Sequence, residues 1–199
     1  MKNYNDNALE ILLYLTGKNK GFIEMLITKS FSRIDANEIV SPVNTVKRKK
    51  PLYEITREEV YSQKHPTFGK LAFADKLAFA AAAVSLENGK IENPRDCGIV
   101  LLTNTGSFMR DKEFYETVKQ NSPSPAYFSA TLPSSPIAEI SIVFGLKGAN
   151  KVIFCDNELA MQTVKLMLEE CEEILFVEIN IPENFAEIEN SFAKAFLFG

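Results

Sequence analysis

The period of hydrophobic and polar positions changes several times along the chain, and each change marks an element. Residues 7 to 31 carry two apolar patches, "ALEILLYL" and "FIEMLITKSF", separated by "TGKNKG". That pattern predicts a pair of short helices with a glycine break, forming an extension over residues 1–30. A strand is expected around Ile34 to Val40, ending at "SP", and residues 43 to 68 read as a polar, basic and irregular stretch. "FADKLAFAAAAVSLENGK" is the clearest helix: Phe73, Leu77, Ala80, Ala81 and Val84 share one stripe, "ENG" supplies a stop, and the alanines imply close packing. "CGIVLLTNTG" is a continuous apolar run between turn residues, as in a strand covered on both faces of a mostly parallel sheet.

A polar helix, "DKEFYETVKQ", comes next, then a proline-rich loop and an apolar helix with Ser135 as N-cap and Pro136 as first helical residue. Being apolar nearly all round, that helix is expected to be buried. Gly145 and Gly148 release the chain into "NKVIFC", read as a second interior strand. The helix "LAMQTVKLMLEEC" and a third strand, "EILFVEINIP", follow, and "NSFAKAFLFG" alternates Phe192, Lys194, Phe196 and Phe198 as a closing strand. Strands and helices in this order predict a layered α/β domain over residues 31–199, with a five-stranded mixed sheet flanked by helices.

Composition excludes more than it assigns. At 199 residues, 46% hydrophobic and 24% charged, the chain fits one soluble domain with a short extension, and no apolar run is long enough to span a bilayer. A short apolar patch near the N-terminus is interrupted by acidic residues and lacks a cleavage site, so a cytoplasmic location is expected. Three scattered cysteines, Cys97, Cys155 and Cys171, suggest reduced thiols, and the single histidine, His65, argues against a metal site and is expected in a solvated loop. No cofactor is expected. A net charge of -4 gives no general attraction for nucleic acid. The basic run at Lys47, Arg48, Lys49 and Lys50 reads either as a solvated loop or as a contact for an acidic partner. "TNTGS", residues 103 to 107, lacks the glycine spacing of a dinucleotide site and reads as a strand-to-helix loop. "SATLPSS" is rich in hydroxyls with no histidine to activate them.

Four stretches together resemble the N-terminal half of the β-ketoacyl-acyl-carrier-protein synthases, of thiolase-like fold. They are "DKLAFAAAAVSLE" with "CGIVLLTNTGS"; "FSATLPSSPIAEISIVFGLKGAN", with Ala149 where the family's turn has proline; "AMQTVKLMLEECEEILFVEI"; and, more weakly, "IVSPVNT". The resemblance covers roughly residues 31 to 199 and implies a single thiolase-like half-domain. It ends where a full synthase would continue into the half that supplies two histidines and a lysine. In length and in the ending "SFAKAFLFG" the chain is similar to the short ketosynthase-like proteins of aryl polyene and flexirubin-type pathways.

In that family a nucleophilic cysteine opens a buried helix seven residues after the turn's asparagine. Counting from Asn150 places Asn157 there, and Cys155 aligns only if two residues are deleted from the turn. Asp156 and Glu158 flank Cys155, where negative charge works against a thiolate but suits the capping of the next helix. Cys155 therefore reads as a structural thiol ending a buried strand. The resemblance implies a catalytically silent protein acting by association in fatty-acid or polyketide-type biosynthesis. Its expected partners are a second copy, a full-length ketosynthase, or an acyl carrier protein met by Lys47 to Lys50. Two alternatives stand beside it: a condensing enzyme or acyltransferase using Cys155, and a stand-alone acyl-chain binding protein.

Overall fold

The structure, a computed structural model, describes residues 28–199. Of the helix pair expected over residues 7–31, residues 7–27 lie outside the described residues, and the expected end of the second helix is corrected, since residues 28–31 belong to the first strand. Strands β1 (Thr28–Ile34), β2 (Glu38–Val40) and β3 (Thr45–Lys47) open the domain, followed by a single turn α1 (Arg57–Val60) and the long helix α2 (Phe73–Asn88). Then come β4 (Cys97–Thr103), α3 (Phe108–Lys119), the short α4 (Pro125–Phe128), α5 (Ser135–Phe144), β5 (Asn150–Phe154), α6 (Asn157–Met167), β6 (Glu173–Asn180) and β7 (Phe192–Phe198).

The α/β class stands, with seven strands rather than five in one mixed sheet of order β3-β2-β1-β7-β6-β4-β5. The single strand expected at Ile34 to Val40 is split by a hairpin turn, with Ile34 in β1 and Glu38–Val40 in β2: Asp35 Oδ1 accepts the N–H groups of Asn37 and Glu38 at 2.9 and 3.0 Å, reversing the chain between them. β4 lies parallel to β5 and β6, and β7 joins β6 to β1 with antiparallel pairing on both sides. β5 is thus an edge strand, not an interior one, and its residues are half-buried or exposed. Its apolar side chains gave the opposite expectation because they are covered on one side of the ladder only.

One face of the sheet carries small residues, Ser30, Ser32, Ala193 and Ala195, so α2 lies close against it. Ser30 and Ser32 donate to the carbonyls of Ser85 and Ala81, each at 2.7 Å, so their buried hydroxyls are satisfied within that tight contact. From Leu77 to Ser85 every residue of α2 is buried, since sheet, α5 and the 52–70 segment enclose it. The other face is aromatic: Phe31, Phe176, Phe196 and Phe198 are all at most 1% exposed. Ala160, Met161, Val164 and Met167 of α6 join that cluster. Each fully buried ring contributes roughly 1.5–3 kcal/mol relative to exposure.

α5 departs from expectation in two respects. Ser134 is the N-cap, with Ser135 in the first turn and its hydroxyl directed to Asp75. The helix is buried only through Pro136, Ile137 and Ile140, while Ile142 is 77% exposed, because α5 meets α2 along a single stripe.

Candidate functional site

Parallel strands leave a crevice at their carboxyl ends, where successive connections diverge. Here the ends of β4, β5 and β6 border an open cleft of about 440 Å³ whose walls include Asn104, Cys155, Asn157, Glu178 and Phe192. The chain passes from β5 to α6 through two residues, Cys155 and Asp156, and the φ of Cys155, 55°, is in the left-handed region that non-glycine residues seldom adopt. Its N–H donates to Thr103 O at 3.1 Å, which extends the β4–β5 ladder by one bond, and Sγ donates to Asn104 O at 3.3 Å. Asp156 then caps α6, its Oδ1 accepting the Leu159 N–H at 2.8 Å.

The capping role expected of this segment is therefore seen at Asp156, with Asn157 as the first residue of the helix. The reading of Cys155 as a thiol closing a buried strand is corrected: β5 is at the edge, and Cys155 is exposed while Cys97 and Cys171 are buried. Burial pushes the Cys97 thiol up to about 12, aided by the nearby Glu173 carboxylate.

Beside the cleft, β6 and β7 place Glu178 opposite Lys194, and the two form an ion pair at 3.1 Å with both side chains 8% exposed. The ammonium also stands 4.6 Å from the centre of the Phe192 ring. The sequence holds a signal for this pair, since Lys194 stands between Phe192 and Phe196 in a period-2 row and Glu178 stands two residues after Phe176.

His65 does not reach the cleft. It is buried rather than solvated, in edge-to-face contact with Phe68 and Phe79, and its Nε2 is 3.0 Å from Glu139 Oε1. Cys155 thus has no imidazole beside it to take its proton. Among the described residues no group of His, Cys, Asp and Glu is arranged to hold a metal ion, and no helix is long and apolar enough to cross a membrane.

The basic run is at the far edge of the sheet from Cys155. Lys47 lies on β3, 2.6 Å from Glu38. Arg48 is structural: its side chain is fully covered and donates to Glu59 Oε1 at 3.0 Å and Pro51 O at 3.1 Å. Lys49 and Lys50 are exposed. The "TNTGS" loop is the plain connection expected of it, closed by the Gly106 N–H donating to Thr103 Oγ1 at 2.9 Å. A narrow cavity of about 40 Å³ adjoins it, lined among others by Asp75, Met109, Arg110, Leu132 and Phe185.

No family model matches the chain, and no curated protein matches it. Solved structures do. A ketosynthase in complex with its chain length factor, from Xenorhabdus doucetiae, contains a chain similar to this one at a TM-score of 0.64 and 14% identity, over 87% of this chain and 78% of that one. The ishigamide ketosynthase/chain length factor matches at a TM-score of 0.67 and 12% identity, over 87% of this chain and 61% of the other. At such identities the likeness is one of fold. The chain has the thiolase-like fold of these ketosynthase and chain length factor proteins, as its sequence resemblance implies.

Proposed function

We propose that the protein is a catalytically silent, ketosynthase-like subunit that associates with a ketosynthase in polyketide or fatty-acid-type biosynthesis. The observation that carries this reading is the open edge of β5. One side of that strand pairs with β4, the other side has no partner among the described strands, and Phe154, Leu159 and Ile142 stand exposed nearby in the chain. Unpaired edges and exposed apolar groups are what a partner covers. The similar chains come from ketosynthase/chain length factor structures. Lys49 and Lys50 remain available to an acidic carrier protein, where rim charges chiefly speed encounter.

Co-expression with a ketosynthase of the same organism tests the reading by size exclusion with light scattering. A stable complex is expected, weakened by Ile142→Asp, which leaves the core untouched. A chain that stays monomeric and retains neither a ketosynthase nor a carrier protein overturns it.

A second reading, Cys155 as an acyl acceptor, is favoured by the exposed thiol at the left-handed turn in an open cleft. Intact mass separates the two. Iodoacetamide is expected to add once to the folded protein, at Cys155, whereas incubation with an acyl-thioester adds nothing. An acyl adduct that persists on Cys155 and is lost in Cys155→Ser establishes the second reading instead.

A further inference from the structure

The aromatic face of the sheet is buried over a wider area than α6 can cover. Phe31 on β1 and Phe196 and Phe198 on β7 are each at most 1% exposed. Their rings stack in a row along the sheet, Phe31 on Phe196 at 6.5 Å and Phe196 on Phe198 at 6.0 Å between centres. Among the described helices only α6 contributes to this cluster, and it packs on β4 and β6. A helix with its side chains is about 10–12 Å across and neighbouring strands lie about 4.8 Å apart, so α6 shields roughly two strands. β1 lies two strands beyond β6, with β7 between them.

The other described segments are committed elsewhere. The buried apolar residues of α2, of α5 and of the 52–68 segment belong to the core on the opposite face, as do Ile181 and Ile188 before β7. Neither α3 nor α4 buries a residue.

We propose that residues 1–27 supply the remaining cover: the apolar patches "ALEILLYL" and "FIEMLI" pack on the aromatic side of β7 and β1, beside α6. Three observations select this occupant. The segment runs directly into β1 at Thr28, which pairs with Phe198 at the end of β7, so the chain enters at the rim of the face to be covered. Its two patches are separated by the polar "TGKNKG", whose glycines let both turn back onto the sheet. The rings are already out of water in the single chain, so neither a second copy nor a ketosynthase is needed to bury them. Residues 1–27 are then part of the fold rather than an arm free to grasp a partner, which leaves association to the β5 edge and its surroundings. The inference concerns the isolated chain, so its failure leaves the reading of that edge untouched.

The chain contains no tryptophan, so one placed in the segment reports on its own surroundings alone. In the full chain without a partner, Leu12→Trp is expected to emit at shorter wavelength than Asn19→Trp, in the polar break, and to be quenched by acrylamide several-fold less. In the unmutated protein, NMR should show NOEs from methyl groups of residues 8–27 to the ring protons of Phe31 and Phe196, with those methyls shifted upfield by the rings, a check that needs no variant. Absence of these NOEs overturns the proposal, and so does Leu12→Trp quenched as readily as Asn19→Trp.

Discussion

Gly148→Ala is expected to destabilise the fold by at least about 3 kcal/mol in urea or guanidinium unfolding. A Cβ built on Gly148 would lie 2.5 Å from the carbonyl carbon of Cys97, 2.6 Å from its oxygen and 2.6 Å from the nitrogen of Gly98. All three are backbone atoms of β4, so no rotamer change relieves the clash. The same turn anchors the ladder: Gly148 N–H donates to Cys97 O at 3.1 Å, and Ala149 O accepts the Ile99 N–H at 2.9 Å. Displacing it moves β5 away from β4, and with β5 go Cys155 and the open edge. Gly145 is the control. Its φ of 70° disfavours a side chain, but nothing stands within 4 Å of a Cβ there, so Gly145→Ala should cost only about 1–2 kcal/mol. Equal costs for the two substitutions would show that close approach to β4 is not what the Gly148 position requires.

The elements that local pattern decides were legible in the sequence: α2, β4, α6, β6 and β7 all stand where periodicity puts them, and so does the cap at Asp156. What escaped depends on contacts between distant segments. Apolar residues in "NKVIF" announce a strand but not whether one side of it or both will be covered, so β5 reads as interior. The burial of His65 rests on Phe79, on a helix that begins only after the next turn. Two misses did have local signals. "DANE" carries an aspartate able to accept the N–H groups two and three residues on, which splits one expected strand into two. "TREE" places Glu59 to accept the Thr56 N–H at 2.8 Å, and the same carboxylate draws Arg48 out of the basic run.

For the site, sequence placed the cap and the scarcity of histidine correctly but not the exposure of the thiol. The reason is geometric. A strand that ends at an edge delivers its last residue to solvent, and a left-handed φ turns that residue outward before the helix begins. The capping of α6 by Asp156 and the exposure of Cys155 therefore coexist, whereas the residues alone suggested that one role would replace the other.

Lys194→Ala is expected to cost about 3–5 kcal/mol, because it strands the Glu178 carboxylate on a buried stretch of sheet. The loss should come from the abandoned charge rather than from the vanished attraction, and a second substitution separates these. Pairing Lys194→Met with Glu178→Leu removes both charges while keeping apolar volume, and most of the lost stability should return, since a buried pair gains little over well-packed hydrophobic residues. A double variant that unfolds as readily as Lys194→Ala would instead mean that the ammonium holds the β7 end of the sheet through contacts beyond Glu178. A Lys194→Ala protein within about 1 kcal/mol of the parent would mean that water from the cleft already reaches the carboxylate. The outcome bears on function through Phe192, which lies beneath the ammonium and lines the same cleft as Cys155. If the pair can be replaced without loss of stability yet the complex with a ketosynthase weakens, its charges serve recognition at the cleft. If the complex is unchanged, they serve only the sheet beneath it.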